Sequence, residues 1–404
     1  MRAAAKSLPA AYGPLAVVLA ELLMTDLGMG LTMPVLPLYA ARLGATLAVV
    51  GLVVGAFGLS RFLLDLPAGF LAGRLGPRFL LLAGPLFIAA AATTAYLATS
   101  PWILGASRLL EGAGSAAVNT VSMVFLARQT QGRGDRGRVM SIYQGVRRGG
   151  AGIAPLLGGL AADRFGFHAV YAIYAFLALG ATSWAVLKIP RDLAGPAQPP
   201  ARPSGRRSFD PFLRSAGFVL ISLLALSFFF GRISSRRLLV PLLGHQLLGM
   251  STGSIGAALT LATLTTLATL YFSGHLADRF GSRPIALLGG LLGAAGVVGY
   301  LLAQSVSAFF AASLFWGFCT GLGGPARNMY LMDITPAGRY PVVVGVYRTV
   351  ADAGFLAGPP ILGLVAHLAG LRISLAVAAL LFLAATAAFA AWAPRPRPAS
   401  LPQG

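Results

Sequence analysis

The sequence predicts an all-α membrane protein, with twelve transmembrane helices in two pseudo-symmetric six-helix bundles and both termini in the cytoplasm. Composition is the first reason: hydrophobic residues make up 57% of the chain, charged residues make up 10%, and the mean hydropathy is +0.78. Soluble domains carry roughly 25% charged residues. The second reason is an internal repeat, because GFLAGRLGPR at 69–78 returns as GHLADRFGSR at 274–283 in a chain of 404 residues. Two copies of one apolar module indicate a duplicated membrane bundle.

The apolar runs are long enough to be membrane spans, since a helix needs about 20 residues to cross ~30 Å of hydrocarbon. A segment rich in Pro, Gly and Arg divides these runs. It predicts an N-terminal bundle at 1–190, a cytoplasmic linker at 191–213, and a C-terminal bundle with a short tail at 214–404. The predicted spans are 14–39, 46–72, 79–98, 102–127, 139–162, 168–188, 214–243, 251–277, 285–303, 307–331, 341–366 and 371–393.

Membrane topology, rather than a nucleic-acid partner, explains the net charge of +20. Outside the spans, Lys and Arg concentrate in the termini, the linker and alternate loops, and only Arg42, Arg164 and Arg372 fall in the opposite loops. This is the positive-inside pattern, which orients both termini toward the cytoplasm. We therefore predict a multi-pass protein of the cell inner membrane, with anionic lipid headgroups as contacts of the basic loops.

The sequence holds none of the patterns that would make it an enzyme. It has no nucleotide-binding G-x-x-x-x-G-K-[ST], and its four His and single Cys form no cluster at metal-ligand spacing. We predict no catalytic residue, no cofactor and no metal, which leaves an ion gradient as the energy source for transport. We expect the protein to be a monomer.

The duplication extends to a glycine-rich helix in each half. MSIYQGVRRGGAGIAPLLGGL at 140–160 aligns with VGVYRTVADAGFLAGPPILGL at 344–364. Transporter repeats in the same orientation commonly enclose a midplane site and rock about it. The matching positions of this glycine-rich motif are Gly150 with Gly354, Pro155 with Pro359, and Gly159 with Gly363.

Four motifs resemble those of the major facilitator superfamily: the repeated decapeptide, the glycine-rich runs, SRLLEGAGSAA at 107–117 and DLGMGLTMPVLPLY at 26–39. Over nearly its whole length, the chain is similar to the 12-helix drug–proton antiporter branch of that family. The resemblance implies alternating access and proton-coupled export of drug-like or other amphiphilic small molecules. The implied partners are this small molecule, protons and membrane lipids. It also implies a role in proton movement for Arg108 and Glu111.

The resemblance assigns the repeated decapeptide to a cytoplasmic latch between the two bundles. In the family, the Asp of this motif reaches the start of a helix in the opposite bundle, where the helix dipole favours a carboxylate. By this resemblance Asp278 faces the start of the fifth helix, around Arg138 or Arg147, whereas Gly73 cannot make the matching contact. We therefore expect a one-sided latch and a bias toward the inward-open state. The residues of this gating motif are Gly69, Gly73, Arg74, Gly76, Arg78, Gly274, Asp278, Arg279, Gly281 and Arg283.

Charged residues within the spans are candidates for function, because a charge at the bilayer centre costs about 3 kcal/mol even on lenient scales. Residues three or four apart share one helix face and can form ion pairs. Three pairs have this spacing: Arg61 with Asp65, Arg108 with Glu111, and Arg348 with Asp352.

Glu21 and Asp26 on the first helix lack a neighbour of opposite charge at helical spacing. A lone buried carboxylate favours its protonated form and can exchange a proton near neutral pH, so both residues are candidates for proton coupling or substrate binding. The alternative for Asp26 is a pair with an arginine of another helix. The seventh span offers Arg232, Arg236 and Arg237 as such partners.

Arginines outnumber acids within the spans, and this excess has two interpretations. In the first, arginines near the cytoplasmic ends, such as Arg147, extend toward the headgroups. In the second, Arg232, Arg236 and Arg327, together with Asp352, line the cavity and attract the substrate. A transporter of an anionic metabolite or a lipid-like molecule is therefore an alternative function. An alternative of another class is a polytopic receptor or scaffold that does not transport.

Overall fold

The computed structural model describes residues 8–129, 136–188, 211–336 and 339–395, and every regular element in these ranges is helical. The predicted linker 191–213 lies outside these ranges except for its last residues. The helices of the first half are α1 (Leu8–Leu31), α2 (Val35–Arg42), α3 (Leu47–Leu75), α4 (Pro77–Tyr96), α5 (Pro101–Gln129) and α6 (Arg136–Lys188). The helices of the second half are α7 (Ala216–Ser234), α8 (Val240–Leu248), α9 (Thr252–Phe280), α10 (Ser282–Leu302), α11 (Val306–Ile334), α12 (Tyr340–Ala369) and α13 (Leu371–Trp392).

Nine of the described helices are long and apolar enough to cross a membrane, or ten if the bent pair Leu15–Leu31 and Val35–Arg42 forms one broken span. Even the count of ten is lower than the twelve predicted spans, for two reasons. The segment Ser141–Lys188 contains two predicted spans, because Gly166 interrupts its helical backbone. In addition, α5 is not among the nine, and this is the helix that carries Arg108 and Glu111.

The repeated decapeptide forms the same turn in both halves. Gly76 precedes α4 with φ 81° and ψ 157°, and Gly281 precedes α10 with φ 86° and ψ 157°. These angles are essentially restricted to glycine. A second matched pair, Gly166 and Gly370, has φ values of 82° and 94°. The duplication seen in the sequence therefore extends to the backbone conformation of its turns.

Replacing Gly281 with Ala is expected to lower the free energy of unfolding by about 1–3 kcal/mol, because a Cβ is strained at this φ. Gly345→Ala is the matched control. Gly345 lies inside α12, nothing stands within 4 Å of an added Cβ, and alanine is the better helix former. Denaturant unfolding of the two variants in detergent measures the difference. An equal loss of stability in both variants would contradict the assignment of the strained turn.

The chain forms two compact units. Unit 1 comprises residues 1–45, 56–204 and 251–257, and unit 2 comprises residues 46–55, 205–250 and 258–404. Each unit thus includes a short segment from the other half of the sequence, since α3 begins in unit 2 and α9 begins in unit 1. The predicted bundle boundaries at 190 and 214 stay a prediction.

Within unit 1, glycines of α6 and α9 bring the start of α9 against α6. A Cβ on Gly256 would lie 2.1 Å from the Pro155 carbonyl oxygen, and a Cβ on Gly159 would lie 2.4 Å from the Thr252 carbonyl oxygen. Asp163 completes this contact, because its carboxylate accepts hydrogen bonds from the backbone N–H groups of Thr252 (3.0 Å) and Gly253 (2.8 Å). Asp163 therefore caps the first turn of α9.

In unit 2 the start of α3 makes the equivalent contact with α12, which has the close glycines but no acidic cap. A Cβ on Gly363 would lie 2.8 Å from the Leu47 carbonyl oxygen, and one on Gly51 would lie 2.4 Å from that of Pro359. The repeat places His367 at the position of Asp163. The glycine-rich motif thus makes close helix contacts in both units, as small residues do in membrane proteins.

Asp163→Ala is expected to cost about 0.5–2 kcal/mol of stability, since two backbone donors at the start of α9 lose their acceptor. Arg164→Ala removes the neighbouring charge without touching the cap and is the control. Thermal unfolding of the purified variants measures both effects. If Arg164→Ala destabilises the protein as much as Asp163→Ala, the loss is not due to the cap.

Candidate functional site

Asp26 on α1 is bound by an arginine of α6. Arg147 Nε donates a hydrogen bond to Asp26 Oδ2 at 2.9 Å, and Arg147 Nη1 donates to the Tyr143 hydroxyl at 3.4 Å. The Asp26 side chain is 12% exposed and the Arg147 side chain is 31% exposed, so the carboxylate is the better shielded partner. The structure thus has Asp26 paired with an arginine of another helix. The described partner is Arg147 of α6, and not one of the arginines that the seventh span offers.

Close packing of α1 on α6 explains this partner choice. A Cβ on Gly30 would lie 2.6 Å from the Cβ of Ala154, and a Cβ on Gly150 would lie 3.0 Å from Leu23 Cδ1. These small residues let the two helix backbones approach each other. The approach brings Asp26 within reach of Arg147, which is therefore engaged inside unit 1.

Arg108 and Glu111 form the predicted ion pair on α5, and both side chains are almost fully buried. Tyr174 of α6 donates a hydrogen bond from its hydroxyl to Glu111 Oε1 at 3.1 Å. The guanidinium of Arg108 also lies over the ring of Phe57, with 4.7 Å between Cζ and the ring centroid. Each charge of the pair is thus held by a second contact. Such contacts are required to offset the desolvation cost of a buried ion pair.

Tyr174 also lies directly against α1. A Cβ on Gly28 would stand 2.0 Å from Tyr174 Cδ2, so the tyrosine ring occupies the space that glycine leaves open. Gly28 is two residues from Asp26 in the chain. Tyr174 therefore contacts the Glu111 carboxylate at its hydroxyl and the helix of Asp26 at its ring.

Glu21 is a buried carboxylic acid whose side chain has no hydrogen-bond partner in the structure. Its exposed fraction is 0%, and neither Oε1 nor Oε2 is satisfied. The Thr25 hydroxyl, one turn away, donates instead to the Glu21 backbone carbonyl at 3.0 Å. An ionised carboxylate in such a site pays a desolvation penalty of several kcal/mol with no compensation.

A small cavity adjoins Asp26. Its water-accessible volume is about 10 Å³, which is the size needed to hold about one water molecule. The side-chain oxygen of Asn119, one of the lining residues, is a buried acceptor without a partner, while its nitrogen donates to the Ser115 carbonyl at 2.7 Å. The lining residues are Leu22, Thr25, Asp26, Met29, Ile88, Ser115, Val118 and Asn119.

The predicted cavity arginines of unit 2 contact aromatic and neutral groups. The guanidinium of Arg327 lies over the Phe228 ring at 3.7 Å from Cζ to the centroid, and that of Arg232 lies over the same ring at 5.6 Å. Arg236 donates from Nη2 to the Leu259 carbonyl at 3.2 Å and to the Thr263 hydroxyl. Unit 2 thus holds Arg232 on α7, Arg327 on α11 and Arg236 in the π-helical turn Ser235–Leu239 between α7 and α8.

The two other predicted pairs differ from the one on α5. Arg61 and Asp65 are 3.4 Å apart with side chains 31% and 32% exposed, so this pair contributes little stability. Arg348 is exposed and Asp352 is half-buried, and no pair between them is among the ion pairs of the described residues.

The gating motif is described only in part. Arg74 and Arg279 are exposed, and Arg283 donates from Nε to the Ala393 carbonyl at 3.2 Å and from Nη2 to that of Ala390 at 2.8 Å. Arg78 is half-buried. The expected contact of Asp278 with Arg138 or Arg147 stays a prediction. The positions Gly69, Gly73, Gly274 and Asp278, and the side chain of Arg138, lie outside the described side chains.

Sequence reasoning missed two members of the site in unit 1. Tyr174 carries no charge and belongs to no repeated motif. Tyr143 lies in the repeated segment 140–160, where it matches Tyr347, but it has no charge to distinguish it from a packing residue. A signal for Tyr174 exists in retrospect, because glycine at position 28 leaves room for one large side chain beside the acidic helix. Among the described residues, no group of three or more His, Cys, Asp or Glu is placed to hold a metal ion.

A family model described as Major Facilitator Superfamily matches the chain at residues 22–253 and 232–404. Inner membrane transport protein YajR of Escherichia coli (strain K12) is 30% identical over 164 residues, which is 40% of this chain and 36% of the relative. The alignment therefore spans little more than a third of that relative's length. Multidrug resistance protein MdtH of Aeromonas hydrophila subsp. hydrophila is 26% identical over 338 residues, which is 83% of each chain.

Solved structures share the fold at low sequence identity. A POT family transporter crystallised in complex with 5-aminolevulinic acid superposes with a TM-score of 0.78 at 14% identity. The superposition covers 94% of this chain and 96% of that transporter. The likeness extends across both halves of the sequence.

Proposed function

Because the chain belongs to the major facilitator superfamily, a class of transporters and not of enzymes, we propose that it exports drug-like or amphiphilic small molecules in exchange for protons. In this proposal it is a monomer of the cell inner membrane, with twelve spans and both termini in the cytoplasm. The printed name of the relative MdtH, a multidrug resistance protein, supports the substrate class. The observation that carries proton exchange is the Asp26–Arg147 ion pair between α1 and α6.

Protonation of Asp26 would break this ion pair. A proton that binds to a carboxylate oxygen of Asp26 neutralises it, and the charge of Arg147 then loses its ionic partner. The pair is therefore stable only in the deprotonated protein. A ligand that binds more tightly when Asp26 and Arg147 are paired, or when they are unpaired, changes the affinity of Asp26 for the proton. The proton then changes the affinity for the ligand by the same factor.

The Arg108–Glu111–Tyr174 cluster supplies the second part of the mechanism. It places a carboxylate, a guanidinium and a hydroxyl in contact within the spans. Tyr174 packs against α1, so a change in its hydrogen bond to Glu111 alters the packing of the helix that holds Asp26. The water-sized cavity beside Asp26 provides room for a proton-carrying water.

Transport assays in proteoliposomes test the proposal. The probes are 2-naphthoate, 2-naphthamide and 2-naphthylmethylammonium, which share one aromatic body and differ in charge. We expect that a gradient of at least one probe drives proton movement, recorded by a pH-sensitive dye inside the liposomes. Probe movement without proton movement would contradict the coupling. No movement of any probe, together with binding, would favour the receptor or scaffold alternative.

A further inference from the structure

The acidic residues of the spans lie mainly in unit 1, whereas arginines occur in the spans of both units. Unit 1 holds the buried acids Glu21 and Glu111 and the half-buried Asp26. After position 210 the sequence has no Glu, and its acidic residues are Asp278, Asp333 and Asp352. Asp333 lies near the end of α11 and accepts a hydrogen bond from the Ser282 hydroxyl. Asp352 alone cannot neutralise the arginines that α7, the π-helical turn and α11 carry into unit 2.

Arg327 is the most buried of these arginines, with 5% of its surface exposed. Its neighbours on α11, Ala326 and Tyr330, are fully buried and fix the helix at this point. The guanidinium stacks on Phe228, and the Tyr347 hydroxyl lies near it. Both partners are neutral, so the contacts described for Arg327 leave its charge uncompensated.

Stacking on Phe228 covers one face of the Arg327 guanidinium. A guanidinium carries five N–H donors in the plane of the group, so stacking on a ring leaves the edge that bears these donors uncovered. The N–H groups at this edge have the fork geometry that binds a carboxylate through two parallel hydrogen bonds.

Arg236 provides a second, independent indication. It lies in the π-helical turn Ser235–Leu239, and π-helical segments inside α-helices occur frequently at functional sites. Its described partners, the Leu259 carbonyl and the Thr263 hydroxyl, are neutral, and its Nε is a buried donor without a partner. A π-helical turn that places a half-buried cation beside neutral partners is more typical of a binding site than of a purely structural contact.

We infer that the transported molecule is an amphiphilic anion, with a flat apolar body and one carboxylate-like group that Arg327 binds beside Phe228 and Tyr347. The ligand then supplies the negative charge that the described contacts lack, and Arg236 adds to the positive potential that attracts it. This inference rests on the proposed function and names its substrate class. It also gives the exchange a net charge, because export of an anion and entry of a proton both carry positive charge inward.

The binding test compares the three naphthalene probes on the full-length protein in neutral-lipid nanodiscs. We expect 2-naphthoate to raise the thermal unfolding temperature more than 2-naphthamide or 2-naphthylmethylammonium does. Arg327→Gln should weaken 2-naphthoate binding by about 10- to 100-fold, as loss of a hydrogen bond to a charged group does. Arg327→Lys should fall between wild type and Gln, because the charge remains without the fork. The control Arg372→Gln changes an exposed arginine of α13 and should bind like wild type.

Two further experiments test whether a lipid headgroup is the ligand and whether transport carries net charge. In the first experiment phosphatidylglycerol replaces 2-naphthoate, because a lipid headgroup carries the same kind of charge. If the lipid stabilises the protein and 2-naphthoate does not compete with it, the inference is overturned. The second experiment uses only the wild-type protein. An inside-negative potential should accelerate 2-naphthoate export from proteoliposomes. Preferential transport of the cationic probe would overturn the inference, but proton coupling, and with it the proposed function, would still stand.

Discussion

Replacing Asp26 with Asn is expected to abolish uphill transport while exchange of probe down its own gradient continues. Asn keeps an oxygen that accepts the hydrogen bond from Arg147 Nε, so the contact between α1 and α6 remains. The side chain can no longer bind or release a proton. Coupling free energies between sites correspond to about 5- to 150-fold changes in affinity. The proton gradient should therefore no longer raise the internal probe concentration above the external one. Proteoliposomes with an imposed pH gradient measure the accumulation, and counterflow measures the exchange.

Asp65→Asn is the matched control for this prediction. Asp65 also pairs with an arginine, but the pair lies within one helix and is about one-third exposed. The control should therefore accumulate probe like wild type. Undiminished accumulation by Asp26→Asn, or an equal loss in Asp65→Asn, would show that proton coupling does not depend on Asp26.

Replacing Glu111 with Leu is expected to lower stability by about 3–5 kcal/mol, because Arg108 is then left as an uncompensated buried charge. The double variant Arg108→Leu/Glu111→Leu removes both charges and should recover most of this loss. Adding Tyr174→Phe removes the hydroxyl that the double variant leaves without its acceptor. We expect every one of these variants to lose proton-coupled transport, because each lacks the Glu111 carboxylate.

Denaturant unfolding and transport are measured on the same preparations of these variants. Recovery of stability without recovery of transport separates the role of the cluster in coupling from its role in folding. A double or triple variant that is stable and transports like wild type would mean that Arg108, Glu111 and Tyr174 form a structural pair with a packing partner.

The parts of the site that sequence reasoning predicted are those set by local helix geometry. Arg108 and Glu111 are three residues apart, so helical periodicity alone places them on one face, and burial then forces the pair. Asp26 and Arg147 are 121 positions apart in the chain. Their contact depends on how closely α1 approaches α6, which glycines at 30 and 150 determine and which periodicity does not encode.

The same holds for the fold: turns set by local sequence were predicted, whereas contacts between distant segments were not. The turns at Gly76 and Gly281 follow from one repeated decapeptide, and the structure gives them nearly identical backbone angles. The Asp163 cap on α9 was not predicted, because it joins α6 to a helix 89 residues later in the chain. The arginines of unit 2 were identified as candidates, but their aromatic and neutral partners depend on packing between α7, α9 and α11.

Proton release on ligand binding reports directly on whether the proton is exchanged at Asp26. The purified protein is titrated in weakly buffered detergent solution with the most strongly stabilising naphthalene probe, and the pH change is recorded by a dye. We expect a pH change for wild type and for Asp65→Asn, and none for Asp26→Asn at equal probe occupancy. A pH change in Asp26→Asn equal to that of wild type would show that the proton is not exchanged at Asp26.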